Sequence, residues 1–209
     1  MTDYADIQTA LISGDDEKVC SLVQAEIDKG GNAGDILKTG LISGMDIVGE
    51  NMQSGDMFIP EVLMSAMSMG KAVDILRPLL GDDETASAGH IVVGTVKGDL
   101  HDIGKNLVCM MVGSTGFDVT DLGVDVSPED FVKAAQEKNA SIVALSALLT
   151  TTMPMMKKTI DALNESGLRD QIKILVGGAP VTQAYADEIG ADGYAADAGS
   201  AAKLAKSYA

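Results

Sequence analysis

One short loop carries the residues with the clearest capacity for chemistry. It contains His101, one of two histidines in the chain, with Asp99 two residues before it and Asp102 directly after it. A metal-binding imidazole usually donates its second ring N–H to a carboxylate or a carbonyl group. The loop therefore predicts a metal ligand at His101 with an acidic partner, and spacing leaves both Asp99 and Asp102 open for that role. We expect the other histidine, His90, to be a solvated residue at a domain edge.

Two other interpretations of this loop compete with a metal site. A phosphate-binding loop has four residues between its glycines, followed by Lys and then Ser or Thr. Here Gly98 and Gly104 enclose five residues, and Lys105 is followed by Asn106, so the pattern departs from a phosphate loop at two places. Alternatively, His101 only begins a helix that a neighbouring aspartate caps. The loop alone does not reject this second interpretation.

The elements predicted around the loop place it at one end of a parallel sheet. Strands are predicted at 91–96, 117–121, 141–146, 172–176 and near 193–194, and helices from about 103 and at 128–138, 155–166, 181–189 and 200–207. Strict alternation of this kind predicts a doubly wound, Rossmann-like (flavodoxin-like) α/β domain. Ligands of such sheets bind at the carboxyl ends of the strands, where the His101 loop begins.

The first part of the chain has a different pattern. Apolar residues recur there at helical spacing, which predicts four helices with short connections, and hence a small antiparallel four-helix bundle. Pro60 stands where the last helix can begin. A stretch of small and polar residues follows, so we predict a helical domain at 1–81, a linker at 82–88 and the α/β domain at 89–209.

Composition restricts the classes of function. The 209 residues carry a net charge of −16, which argues against binding to nucleic acid. Cys20 and Cys109 have no zinc-site spacing, and we expect small, partly buried side chains. No apolar run approaches the roughly 20 residues that span a bilayer, and no leader is apparent at the N-terminus, so we expect a cytoplasmic protein without a membrane partner.

Two further motifs make the pattern of the loop much more specific than the loop is alone. Ser146-Ala147-Leu148 follows the loop with 41 residues between Gly104 and Ser146, and Gly177-Gly178 follows with 28 residues between Leu148 and Gly177. Together with Asp-x-His-x-x-Gly, these motifs and separations resemble the cobalamin-binding domains of the methionine synthase type. The resemblance extends over about residues 1–205 and favours the metal site over the helix cap.

The resemblance implies a role for each motif residue. In that family the nucleotide arm of the cofactor leaves the cobalt and lies in the sheet, and the loop histidine takes its place, which is the base-off/His-on state. This implies His101 on cobalt, Asp99 on its far nitrogen, and Thr152 completing the relay, where the family more often has Ser. Ser146 is expected to meet the buried base, and Thr150 to line the same channel.

The glycine motif and the helical domain add further positions. Gly177-Gly178 would let the cofactor tail pass close to the backbone, although an ordinary strand-to-helix turn also accounts for two glycines. The stretch 55–62, Gly-Asp-Met-Phe-Ile-Pro-Glu-Val, resembles the family's helical cap, which implies that Phe58 shields the upper face, or that it is a core aromatic of the bundle. The implied cofactor-binding set is Gly98, Asp99, Leu100, His101, Asp102, Ile103, Gly104, Ser146, Leu148, Thr150, Thr152, Gly177, Gly178 and Phe58.

The absence of the other methionine synthase domains points to a stand-alone carrier. The architecture resembles the corrinoid proteins of anaerobic methyltransferase systems, carrier subunits rather than complete enzymes. The resemblance implies that a substrate-specific methyltransferase transfers a methyl group to Co(I) of a cobalamin or related cobamide, and that methyl-Co(III) then serves a second methyltransferase with tetrahydrofolate or a thiol as acceptor. A reductive activator is a further implied partner.

Two rival functions remain: the sensors share the cap and the three motifs, and the mutase subunits share the loop. A cobalamin-binding sensor usually adds a DNA-binding helical domain, for which the acidic chain offers no basic segment. The cobalamin subunit of a carbon-skeleton mutase uses the same loop but lacks the methyl-protecting cap. The sequence does not specify the methyl donor (aromatic methyl ether, methylamine, betaine or methanol), the acceptor, the lower base or the oligomeric state.

Overall fold

The computed structural model describes residues 4–80 and 88–209, which form two compact units. The first unit contains residues 4–80 with residues 114–116, and the second contains residues 88–113 and 117–209. The predicted linker at 82–88 lies outside the described residues except for Ala88. Within the described ranges, no helix combines the length and the apolar character that crossing a bilayer requires.

The first unit is helical, with four helical stretches as expected. Its elements are α1 (Ala5–Ile12), α2 (Asp16–Asp28), a continuous stretch made of α3 (Ala33–Asp35), a π-helix (Ile36–Ile42) and α4 (Ser43–Ser54), and finally α5 (Ile59–Leu76) with a 3₁₀ turn (Arg77–Leu79). Apolar residues at helical spacing, among them Leu11, Val19 and Val48, are fully buried in this unit. The bundle therefore follows directly from the apolar periodicity.

Local signals fix where these helices begin and end. The Asp15 carboxylate accepts the Lys18 N–H and so caps α2. The left-handed Gly55 ends α4. Glu61 reaches back to accept the N–H of Phe58 at 2.8 Å, and Pro60 stands in the first turn of α5, where the missing N–H costs nothing.

The second unit alternates strands and helices. Its elements are β1 (His90–Thr95), α6 (Ile103–Ser114), β2 (Asp118–Asp121), α7 (Pro128–Glu137), β3 (Ile142–Ser146), α8 (Met153–Glu165), β4 (Lys173–Gly177), α9 (Gln183–Ile189), β5 (Gly193–Ala195) and α10 (Ala198–Lys206). All neighbouring strands are parallel, in the order β2-β1-β3-β4-β5. This is the flavodoxin-like order, so the predicted fold class is confirmed.

Both faces of the sheet are buried, as a doubly wound sheet requires. Along β3, Val143 and Leu145 belong to a core that includes Phe131 of α7 and Met156 of α8. Ile142, which alternates with them, is fully buried as well. The polar and charged residues that could do chemistry are therefore restricted to the ends of the strands.

The environment of the His90 side chain differs from the one we predicted. We expected a solvated side chain at a domain edge, whereas His90 is the first residue of β1 and is only half-exposed. Its Nε2 lies 2.8 Å from the Thr120 hydroxyl on β2. His90 therefore stands at the amino end of β1, away from the carboxyl edge where the His101 loop begins.

Candidate functional site

The three motifs meet at one edge of the sheet. Thr95, Ser146 and Gly177 end β1, β3 and β4, and they are in register with one another across the three strands. The crossovers from β1 and β3 run to opposite sides in the order β2-β1-β3-β4-β5, so the edge between β1 and β3 is the switch point of the sheet. Ligands of doubly wound sheets bind at such a point.

Asp99 joins the loops that follow β1 and β3. Its side chain is fully buried, and its Oδ1 lies 2.6 Å from Nδ1 of His101. Its other oxygen, Oδ2, accepts the Thr152 hydroxyl at 2.7 Å. The predicted relay residues His101, Asp99 and Thr152 are therefore in direct hydrogen-bond contact, and Thr152 is itself buried.

The Asp99 carboxylate is held in its ionised form. Burial alone would raise its pKa, but the hydrogen bonds from the Thr152 hydroxyl, the His101 ring and the backbone outweigh it and hold the pKa well below its usual range. The backbone donors to Oδ2 are the N–H groups of Leu148 at 2.8 Å and Leu149 at 3.2 Å. An ionised carboxylate only accepts, so the His101 Nδ1 must donate its hydrogen, and in the neutral ring Nε2 carries the lone pair.

The His101 ring is held by Asp99 at one nitrogen and is exposed on its other side. Half of its side-chain surface is exposed, whereas its Nδ1 is occupied by Asp99. The Thr95 hydroxyl donates to the His101 carbonyl at 2.8 Å and fixes the main chain of the histidine as well. The arrangement presents one imidazole nitrogen to a ligand in a defined orientation.

Asp102, the other candidate partner of His101, has a different position. Its side chain is exposed, and its main-chain carbonyl accepts the Asn106 N–H at 2.7 Å in the first turn of α6. Asp102 therefore stands at the start of the helix, whereas Asp99 orients the imidazole. This geometry decides between the two carboxylates that spacing left open.

Several exposed apolar side chains belong to the loops at this edge of the sheet. Leu100 and Ile103, which flank the histidine in the loop, are 72% and 77% exposed. Leu148 and Leu149 from the β3 loop and Val124 from the β2 loop are also exposed. Exposed large apolar residues that cluster around a potential metal ligand mark a binding surface for a largely apolar group.

The two motif glycines have different environments. Gly178 adopts φ +125°, and a Cβ there would lie 1.9 Å from the Ala147 carbonyl oxygen. Gly177 has no such backbone constraint, and its Cβ would lie 3.0 Å from the Ala195 carbonyl oxygen. Contact between the β3 and β4 loops therefore already requires Gly178, independently of any ligand.

The remaining predicted site residues differ in exposure. Ser146 is half-buried at the end of β3, and Thr150 is exposed in the following loop. Gly98 adopts φ +83°, and Gly104 is exposed near the start of α6 with open space where a Cβ would stand. Phe58, in the helical unit, is 70% exposed, so it is a surface residue of that unit rather than a core aromatic.

The sequence did not reveal Asp125, which follows β2. The Asp125 carboxylate accepts the Gly98 N–H at 2.7 Å, and its own N–H donates to the Asp99 carbonyl at 3.0 Å. An available signal was its position after the second strand, since carboxyl ends of parallel strands meet at one edge. The conformation of the β2 loop, however, was not predictable from spacing.

Comparisons with known proteins identify the family to which the two units belong. Residues 89–203 match the family described as "B12 binding domain", and residues 4–77 match a second family with the same description. The chain is 46% identical to a corrinoid protein of Desulfitobacterium hafniense over 203 residues, covering 96% of this chain and 94% of the relative. It is 47% identical to dimethylamine corrinoid protein 1 of Methanosarcina acetivorans over 173 residues, or 82% and 81% of the two chains.

A solved structure shares the fold. A chain in the crystal structure of the methanol:cobalamin methyltransferase complex of Methanosarcina barkeri superposes with a TM-score of 0.84 at 32% identity, covering 98% of this chain and 78% of that one. The sequence matches extend over both units, and the relatives are similar to this chain over most of their own length. The chain therefore belongs to the corrinoid proteins of methyltransferase systems, whose B12-binding domains it contains.

Proposed function

We propose that the protein is a methyl carrier that holds a cobamide in the base-off/His-on state. It would accept a methyl group from a substrate-specific methyltransferase and deliver it to a second methyltransferase with tetrahydrofolate or a thiol as acceptor. The observation that carries this proposal is the Asp99–His101 bond, which ties down Nδ1 and leaves Nε2 as the free nitrogen of a half-exposed ring.

The residues present at the carboxyl edge fit a cobamide. A corrin ring is a broad apolar disc with polar edges, and exposed leucine and isoleucine side chains flank His101 on this edge. A neutral imidazole whose far N–H bonds a carboxylate is the usual form of a histidine ligand. The donor and the apolar surface therefore suit a metal that arrives in an organic macrocycle.

A bound cobamide supplies a cobalt centre that takes up a methyl group and gives it up again. The chain contributes the lower ligand and controls its orientation. His101 would donate Nε2, Asp99 would keep the ring in the required tautomer, and Thr152 together with the β3-loop N–H groups would keep Asp99 ionised. This arrangement would fix the tautomer and the orientation of the imidazole ligand while the proton stays on Nδ1.

The other motif residues would accommodate the cofactor's nucleotide arm. In this proposal Ser146 contacts the displaced base, Thr150 lines the same channel, and the glycine pair allows the arm to pass near the backbone. The register of Ser146 with Gly177 across β3 and β4 supports a shared path for the arm. We further propose that Phe58 covers the upper face of the corrin, which its exposure supports.

The names of the relatives suggest the partners. One relative is a dimethylamine corrinoid protein, and a chain of similar fold occurs in a methanol:cobalamin methyltransferase complex. We propose that this chain works with a methyltransferase specific for a small methylated substrate, with a reductive activator restoring the cofactor. The cytoplasm, where such partners meet, is the proposed location.

Electron paramagnetic resonance of the cobalt(II) form tests the lower ligand directly. Protein labelled uniformly with ¹⁵N and loaded with unlabelled cobalamin should give doublet splitting from the axial nitrogen, because the ligand belongs to the protein. A triplet would mean that the cofactor's own ¹⁴N base stays on cobalt and would overturn the base-off/His-on state. H101A should lose the doublet, and H90A, which removes the remaining histidine at the opposite edge, should retain it.

A further inference from the structure

Asp125 makes two hydrogen bonds and one ion pair to the loop that carries His101. Its Oδ1 accepts the Gly98 N–H at 2.7 Å, and its main-chain N–H donates to the Asp99 carbonyl at 3.0 Å. Its Oδ2 also pairs with Lys97 at 3.0 Å, an ion pair with both partners about half-exposed. Three consecutive loop residues are thereby tied to one residue of the β2 loop.

Asp125 has an unusual backbone conformation at this contact. It adopts φ +57°, a left-handed conformation that is uncommon for residues other than glycine. A single bridge between Val96 and Val126 continues the β1–β2 pairing up to this point. The Gly98 N–H also holds the pKa of the Asp125 carboxyl below its usual range, in agreement with a close hydrogen bond.

The connection acts on the segment that positions the imidazole. Gly98, at φ +83°, lies three residues before His101, and Asp99 is the residue that bonds its ring. The Thr95 hydroxyl holds the His101 carbonyl on the other side. Without the Asp125 carboxylate, Lys97 and Gly98 lose their bonds to the β2 loop, whereas the main-chain bond to the Asp99 carbonyl does not need the side chain.

We propose that Asp125 is a positioning residue for the histidine ligand: its carboxylate, through the Gly98 N–H, sets the loop conformation in which the Asp99–His101 pair presents Nε2. This inference rests on the proposed function and extends it to a residue that bonds the loop rather than the imidazole. A hydrogen bond to a neutral acceptor should serve nearly as well as one to the charge, because the ion pair with Lys97 is exposed and weak.

Four variants separate the hydrogen bond from backbone strain and from charge. D125G removes the carboxylate, and glycine adopts φ +57° without strain. D125N keeps an acceptor oxygen, and K97Q removes only the ion pair. N139G is the matched control, because Asn139 is the other described non-glycine residue with positive φ (49°) and precedes the amino end of β3, at the opposite edge of the sheet.

The first measurement needs no cofactor. Amide hydrogen exchange of Gly98 in the unloaded protein should be about fivefold faster in D125G than in the wild type, as loss of one hydrogen bond predicts. It should be unchanged in D125N, K97Q and N139G. Equal Gly98 exchange in D125G and wild type would overturn the inference. If D125G does not fold, D125A with N139A as its control gives the same comparison.

The second measurement follows ligation. D125G should bind cobalamin roughly 10-fold more weakly, at the lower end for outer-shell residues, and a smaller fraction of its cobalt(II) signal should have the ¹⁵N doublet. D125N should recover both values. A D125N as impaired as D125G would overturn the hydrogen-bond role in favour of charge. A wild type without the doublet would instead overturn the proposed function, so the two failures are distinguishable.

Discussion

Oδ2 of Asp99 and the hydroxyl of Thr152 lie 2.7 Å apart although 53 residues separate them in the chain. This contact joins the loop after β1 to the loop after β3. Because the other Asp99 oxygen bonds His101, the buried carboxylate transmits the geometry of the β3 loop to the imidazole.

Replacing the buried carboxylate should weaken cobamide binding and the fold together. In D99N the amide either loses the His101 N–H or turns its NH₂ towards the donors that now meet Oδ2. We expect cobalamin to bind about 10- to 100-fold more weakly, as for other partners of metal-binding histidines, and the free energy of unfolding to fall by about 1–3 kcal/mol. Absorbance titration and urea denaturation measure the two quantities.

Asp102 provides the control for this substitution. It lies on the other side of His101 with an exposed side chain, so D102N should change neither quantity appreciably. If D102N weakened cobalamin binding as much as D99N, the assignment of Asp99 as the orienting carboxylate would be wrong.

The Thr152 hydroxyl should matter more than the threonine methyl group. T152V keeps the shape but removes the donor to Asp99, which should lower the free energy of unfolding by about 1 kcal/mol and weaken cobalamin binding several-fold. T152S keeps the hydroxyl and should bind as the wild type does. Equal binding by T152V and T152S would show that Thr152 acts only through packing.

Much of the site was predictable because its parts are local in sequence. The alternation of apolar strands and helical segments fixed the fold class, and the order of the three motifs placed their loops at strand ends. In the helical unit, residues such as Leu11 and Val19 recur at helical spacing and are fully buried, as predicted.

Other parts depend on pairings between distant segments. Spacing could not choose between Asp99 and Asp102, because the choice depends on the β3 loop, whose Leu148 and Thr152 reach only Asp99. Asp125 was missed because its bonds to Gly98 and Asp99 depend on the conformation of the β2 loop, which the order of the strands does not give. The pairing of β1 with β2 gives His90 its partner on β2, which explains why its expected solvation was wrong.

We expect Gly178 to be required by the fold and Gly104 to be required only by the cofactor. G178A should be strongly destabilising, because the new Cβ would collide with the Ala147 carbonyl and φ +125° is unfavourable for alanine. G104A should raise the free energy of unfolding by about 0.5–1 kcal/mol, since Gly104 is an exposed helical residue with open space around it. Thermal melting of the unloaded proteins measures both effects.

Cobalamin titration of G104A completes this comparison. Stabilised protein with weaker cobalamin binding would assign Gly104 to the cofactor, as the motif predicts. Stabilised protein with unchanged binding would contradict that assignment.

Cys109 should react as a thiol with an unusually high pKa. Burial on α6 and then the negative charge of Asp121 raise its pKa to about 11, above the ordinary value of about 9. In a C20S background, its alkylation rate should therefore still increase between pH 9 and pH 11, whereas a small free thiol reaches its plateau. A plateau by about pH 10, as an ordinary thiol reaches, would contradict the raised pKa.

The raised pKa of Cys109 also makes the stability of the folded protein depend on pH. The folded protein retains the thiol proton where the unfolded chain has lost it, so this contribution to stability is complete below about pH 9 and is lost as the pH rises through about 11. Comparison of C109A with the wild type across this range isolates the contribution.

The bonds from Leu148, Leu149 and Thr152 to Asp99 have a consequence for biosynthesis. The loop with His101 leaves the ribosome about fifty residues before the donors that hold its carboxylate. Until β3 has paired with β1, the nascent chain has the histidine but not the anchored aspartate. Cofactor uptake should therefore begin only after residue 152 has emerged, so that incomplete chains released earlier would not sequester a scarce corrinoid.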